Sequence, residues 1–153
     1  MTPKPTDEDY RRLLELRTGL RRFLRWSGRQ AEAAGLTPAQ HQLLLAIRGH
    51  PDPRGPTVGD VAAYLLLRHH SAVGLVDRAE AAGLLTRSQD PDNLSAVRLL
   101  LTDEGSRQLE ALSELHLEEL AHLAPTMEAL WEALERDSDG EPRRTPHPAA
   151  PPR

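Results

Sequence analysis

The chain has 153 residues, 39% of them apolar and 27% charged, with a net charge of −4 and no cysteine. That length suits one ordinary domain with a real core, and the missing thiols exclude disulfide frameworks, thiolate metal sites and cysteine redox chemistry. No apolar run approaches the roughly 18 residues a membrane helix needs, and "MTPKPTDEDYRR" lacks the apolar core of a secretory signal, so a cytoplasmic protein without a membrane partner is expected.

The charge is unevenly placed. Residues 1–34 carry eight Lys/Arg against five Asp/Glu, residues 102–137 carry two against ten, and residues 54–101 carry five of each. Both charged ends are also amphipathic, so two terminal helices with complementary surfaces explain the pattern better than an acidic interaction tail.

Residues 7–33 read as one long helix, with Leu13, Leu16, Leu20, Phe23 and Leu24 on one stripe and Gly35 as its stop. In "LTPAQHQLLLAIRGH", Thr37, Pro38 and Gln40 make a capping box with proline at the first helical position. Leu43, Leu44 and Ile47 face inward, and Gly49 ends that helix before the loop "HPDPRGP". "TVGDVAAYLLL" starts a third helix that Thr57 can cap, with Val61, Ala62 and Leu65 inward. A fourth follows after a turn-sized gap at "RHH", with Ala72, Leu75, Val76 and Ala79 at helical spacing and Gly83 as its stop. This is a helix-turn-helix pattern.

Leu84 to Arg87 and "AVRLLL" flank the polar turn "SQDPDN" and predict a β-hairpin. Thr102 caps a further helix with Asp103 and Glu104 in its first turn. Its stripe is Leu109, Leu112, Leu115, Leu120 and Leu123; Pro125 is expected to break or restart it, with Met127, Leu130, Trp131 and Leu134 finishing. The tail 138–153 is Pro-rich and apolar-poor, which predicts disorder. The expected fold is mainly α with a small β-hairpin wing: a winged helix-turn-helix domain (36–101) between an N-terminal dimerisation helix (1–35) and C-terminal dimerisation helices (102–137). In such a fold the second helix of the pair can enter a major groove, and the hairpin can reach the neighbouring minor groove.

The segments "GLTPAQHQLLLAI", "TVGDVAAYL", "AVGLVDRAEAAGLLTR" and "LLLTDEG", in this order between long amphipathic helices, resemble the MarR family of bacterial transcriptional regulators. The resemblance covers about Leu36 to Leu109. It implies a homodimer whose terminal helices interlock, binding to a pseudo-palindromic double-stranded operator, usually repression, and often release by a small aromatic or anionic ligand. No cofactor is implied. Independently, the terminal stripes carry more Leu, Trp and Phe than a small winged-helix core needs. Leu13, Leu16, Leu20, Leu120, Leu123, Leu130 and Trp131 are therefore the dimerisation candidates, and two-fold symmetry would set paired recognition helices one helical turn apart.

Arg68, His69, His70 and Ser71 open the recognition helix, where side chains meet base edges and phosphates; His70 or Ser71 could instead be only its N-cap. Relatives often carry Thr-Arg where this chain has Val73-Gly74. Gly74 allows a close approach to a groove at a helix cost of about 1 kcal/mol relative to Ala. Arg78 follows Asp77 in the family's Asp-Arg pair, a role divided between supporting the wing or a phosphate and a weak surface ion pair. Thr57, Arg87 and Arg98 complete the DNA-binding candidates. The wing departs from the family: its usual Asp-Arg-Arg falls here on Asn93, Leu94 and Ser95. Narrow minor grooves attract arginine through their negative potential, so this wing tip predicts weaker and less salt-sensitive binding. The rival reading is a winged-helix ligand- or protein-binding module that has lost strong DNA binding.

The adjacent imidazoles of His69 and His70 first suggest metal or catalytic chemistry. Neighbouring helical residues point about 100° apart, so they do not form the i, i+4 pair that chelates one ion. His70-Ser71 lacks a third member and an oxyanion motif. No catalytic residue and no metal site is assigned. If these imidazoles carry part of the DNA electrostatics, affinity should rise as pH falls through about 6.5. A ligand pocket, if formed, would draw on Trp26, Arg29, His41 and His116, each of which taken singly reads better as core or surface.

Overall fold

The computed structural model describes residues 4–136. The expected disorder of 138–153 lies outside the described residues. The element order is α1 (Asp7–Ala33), α2 (Pro38–Gly49), α3 (Val58–Leu65), α4 (His69–Ala81), β1 (Leu85–Gln89), β2 (Val97–Leu101) and α5 (Asp103–Arg136). Contacts divide the chain into two compact units, one from Leu24 to Glu118 and one holding the residues before and after it. The boundary falls inside α1 and α5.

Local chemistry explains each helix start. Asp7, Glu8 and Asp9 place negative charge in the first turn of α1, and Thr6 and Asp9 exchange hydrogen bonds there, 2.8 Å from the Thr6 N–H and 3.2 Å from the Asp9 N–H. Thr37 and Gln40 form the expected capping box on α2. Thr57 caps α3, and its box is completed by Asp60, a partner the sequence reading did not name. Gly83 follows α4 in the left-handed region at φ 74°.

The central unit is held by Leu43, Leu44, Val61, Val76, Leu84, Leu85 and Leu99, each at most 2% exposed. Burying one such side chain contributes on the order of 1.5–3 kcal/mol. Ala31 of α1 and Leu109 and Leu112 of α5 belong to the same cluster. β1 and β2 pair antiparallel with Leu85 opposite Leu101 and Arg87 opposite Leu99. Only Leu99 of β2 is fully buried, while Val97 is exposed and Leu101 half-buried. The loop after α2 joins this sheet: the Leu99 N–H donates to the Pro56 carbonyl at 2.9 Å, and Thr57 pairs with Arg98. Gly55 permits that approach. Its φ is +86°, and a Cβ there would lie 1.9 Å from the Leu99 carbonyl oxygen.

Two expectations are corrected. The turn between α3 and α4 is Leu66–Arg68, not "RHH". Leu66 adopts the left-handed conformation at φ 54°, and the Leu67 N–H donates back to the Ala62 carbonyl at 2.9 Å. A leucine there costs on the order of 1 kcal/mol, and the burial of Ala62 and Ala72 on either side holds it. The second correction concerns Pro125, which neither breaks nor restarts the helix. α5 runs for 34 residues with Pro125 inside it. Proline removes the bond to the carbonyl four residues back and crowds it, and Ala121 and Pro125 both lie exposed, so that carbonyl is open to solvent.

In the unit formed by the chain ends, Arg12 Nη1 donates to the Ala133 carbonyl at 3.3 Å. Leu130 is buried there, and Leu16 and Leu123 are half-buried. Leu13, Leu20, Leu120 and Trp131 remain 46–50% exposed.

Candidate nucleic-acid interface

Ala72, Leu75, Val76 and Ala79 are all buried and hold one face of α4 against the core. The rest of the helix surface is outward, and Arg68, His69, His70, Ser71, Asp77 and Arg78 are exposed on it. Gly74 lies between His70 and Arg78 at i+4 spacing. α4 begins at His69 with Arg68 as its N-cap, and no side chain caps it. The capping alternative for His70 and Ser71 therefore does not apply, because both stand inside the first turn. The first turn beside Arg68 thus keeps N–H groups without a side-chain cap at the positive end of the helix, an arrangement that attracts anions. Among the described residues, no carboxylate pairs with Arg68 or Arg78.

Thr57 is differently committed. Its hydroxyl donates to Asp60 Oδ2 at 2.9 Å and accepts the Asp60 N–H at 3.2 Å, so it serves the start of α3.

The wing arginines are engaged within the molecule. Arg87 bonds Asp77 at 2.5 Å and also Glu80, which ties β1 to α4. Arg98 Nε donates to Asp90 Oδ2 at 2.9 Å, and its Nη1 donates to the Gly55 carbonyl at 3.1 Å. Arg54, which the sequence reading did not single out, bridges Asp52 at 2.7 Å, Asp92 at 3.1 Å and Asp90 at 3.5 Å. The Asp92 N–H and Arg98 hold the Asp90 carboxyl below its ordinary range, and Arg54 does the same for Asp52. These carboxylates and guanidiniums come from loops some 36 residues apart. The sequence signal, "DPRG" facing "DPDN", is too short to have revealed the pairing.

The wing tip is shaped by Asn93. Its Oδ1 accepts from the Ser95 N–H at 3.2 Å and the Ser95 hydroxyl at 2.6 Å, and Gln89 Nε2 donates to the Leu94 carbonyl at 2.8 Å. The Leu94 side chain is left 70% exposed.

The structure brings together three of the four pocket candidates. The His116 ring lies 4.9 Å from Trp26 and 4.7 Å from His41, between centroids. His116 Nδ1 donates to the Leu112 carbonyl at 2.7 Å, and its Nε2 bonds Ser27 Oγ at 2.7 Å. His41 is 6% exposed; burial, and then the neighbouring His116, push its imidazole below the ordinary value. Arg29 is exposed and makes none of these contacts. A cleft of about 360 Å³ opens elsewhere, against Ile47, Arg48, His50, Leu100 and Ser106, and contains none of the four. Among the described residues, no group of three His, Asp or Glu could hold a metal, and no helix is long and apolar enough to cross a membrane.

A helix-turn-helix whose second helix turns a cationic face outward, followed by an antiparallel hairpin, defines the winged helix-turn-helix class. Residues 34–93 match the family model described as MarR family. That match spans the helix-turn-helix and the first wing strand, so this part of the chain is similar to the MarR family. No curated protein gives a sequence match. Among solved structures, a MarR family protein from Bacillus stearothermophilus aligns with a TM-score of 0.67 at 23% identity, covering 90% of this chain and 100% of that one. The transcriptional repressor CouR, bound to a 23-mer DNA duplex, aligns at 0.64 and 24% identity over 89% and 99%. A MepR–DNA complex from S. aureus aligns at 0.65 and 19% identity over 87% and 96%. At these identities the structures establish a shared fold.

Proposed function

We propose that this protein is a transcriptional regulator that binds a pseudo-palindromic DNA operator as a homodimer, acts as a repressor and is released by a small aromatic or anionic ligand. The observation that carries this reading is the outer face of α4. Arg68, His69, His70, Ser71 and Arg78 stand exposed on a helix whose other face is buried, and the two arginines have no carboxylate partner among the described residues. A helix so presented fits a major groove, and its uncapped first turn suits a phosphate. The MepR and CouR structures, solved with DNA, support the reading by analogy. Dimerisation is supported by the exposed Leu13, Leu20, Leu120 and Trp131; ligand release rests on the family resemblance, since the Trp26–His116–His41 rings pack on one another and the cleft lies elsewhere.

One observation favours the rival binding module: Arg54, Arg87 and Arg98 are all held in ion pairs, and Leu94 occupies the wing tip. A gel shift with the purified chain and the DNA upstream of its own gene, at low and moderate salt, separates the two. Specific retardation that survives unrelated competitor DNA is expected; weak, sequence-independent binding overturns the regulator. Leu94→Arg should tighten binding and steepen the slope of log K against log salt by about one for a single added phosphate contact. Unchanged affinity at both salts would show that the wing tip does not approach DNA.

A further inference from the structure

The outer face of α4 is not uniformly covered. His70 and Gly74 lie on the side opposite the buried Ala72, Leu75, Val76 and Ala79, and Arg78, four residues on, stands at the edge of that side. At its centre stands a residue with no side chain. A Cβ placed on Gly74 would meet one neighbour only, the Nη1 of Arg78 at 3.3 Å. The Arg78 side chain therefore lies back over the preceding turn, in the direction helical side chains favour, with its guanidinium above the Gly74 backbone. That guanidinium has no carboxylate partner among the described residues. Arg54, Arg87 and Arg98, by contrast, are each tied to at least one carboxylate.

We infer that Arg78 is the base-reading residue of α4, donating through its guanidinium fork to a guanine edge in the major groove, and that Gly74 is its positioning residue. This rests on the reading of the chain as a DNA binder. The chemistry follows from placement. A guanidinium carried over Gly74, opposite the buried stripe, faces the floor of a groove that the helix enters, whereas phosphates lie along its walls and near its ends. The missing Cβ at position 74 leaves room for the fork to lie against the helix backbone. Two N–H groups of arginine match the O6 and N7 acceptors of guanine, a pairing that separates G·C from the other pairs. An Asp77 carboxylate next in sequence would compete for Arg78, but it is bonded to Arg87 instead. The ion pair between β1 and α4 thus leaves Arg78 without a carboxylate partner among the described residues.

The test is selection from a random duplex library with the full-length chain, followed by titration of the enriched site and its single-base variants. The wild type should enrich a motif with a guanine in each half-site. Arg78→Ala should relax the preference at that one position roughly tenfold and leave the others in place, and Arg78→Lys should not restore it. Gly74→Val, which fills the space under the guanidinium, should lose the same positional preference. A uniform loss of affinity with Arg78→Ala, the motif unchanged, the salt slope smaller by about one and lysine sufficient for rescue, would make Arg78 a phosphate contact and overturn the inference. An unchanged motif with Gly74→Val would overturn the role of Gly74. A wild-type chain that enriches nothing would instead overturn the DNA-binding reading itself.

Discussion

Gly74 carries a cost that can be measured without DNA. It stands within α4, where glycine is less favourable than alanine by about 1 kcal/mol. The added Cβ would press only on the far end of the Arg78 side chain, which can move a few tenths of an ångström. Gly74→Ala should therefore stabilise the fold by about 1 kcal/mol, read as a higher urea midpoint at unchanged m-value. A loss of stability would mean that the backbone at Gly74 needs glycine for a reason other than space. The wing shows the opposite logic. Asp90 is 2% exposed and takes hydrogen bonds from Arg98, Arg54 and the Asp92 amide. Those arginines are part of the wing's own scaffold, so their positive charge is already partly neutralised before any DNA arrives.

At the scale of elements, the junction of α1, α2 and α5 is built around two imidazoles in contact. Burial and the neighbouring His116 keep His41 below its ordinary value, so the folded state disfavours its protonation. A histidine lowered in this way contributes its stability fully above the unfolded value near 6.5 and loses it as pH falls toward the folded value. Urea unfolding should show a midpoint that drops between pH 7.5 and 5.5, and His41→Phe should flatten that drop. An equally steep drop in the variant would place the pH sensitivity elsewhere. The neighbouring cap of α2 and that of α3 were legible in advance as Thr37 with Gln40 and as Thr57, because caps use contacts three residues apart. The Leu66 turn was not, since no local preference puts leucine in the left-handed region. It follows from the packing of α3 and α4. Pro125 misled for the mirror reason: a strong local breaker yields when a long helix surrounds it and the orphaned carbonyl is wet.

For the whole molecule, the exposed apolar residues of the chain ends are the open account. Leu13, Leu20, Leu120 and Trp131 would be a liability on a lone subunit, and two-fold pairing would cover them. If the chain pairs as proposed, the wild type should sediment as a dimer at micromolar concentration and Leu20→Asp combined with Trp131→Ala as a monomer; a monomeric wild type would overturn the pairing, and an unchanged dimer in the variant would move the interface to another surface. Periodicity and caps by themselves determined the order of helices, the hairpin and the outward position of Arg68 to Ser71, because those depend on neighbours within one or two turns. The resemblance to the MarR family rested instead on four segments in their order, and the match over residues 34–93 bears it out. Only the tertiary structure decided which arginines are spent. Arg54 meets carboxylates in the wing, Arg87 meets Asp77 and Glu80, and Arg78 keeps its charge over Gly74. Those pairings join residues distant in the chain, and Coulomb attraction acts through space, so no local pattern of residues encodes them.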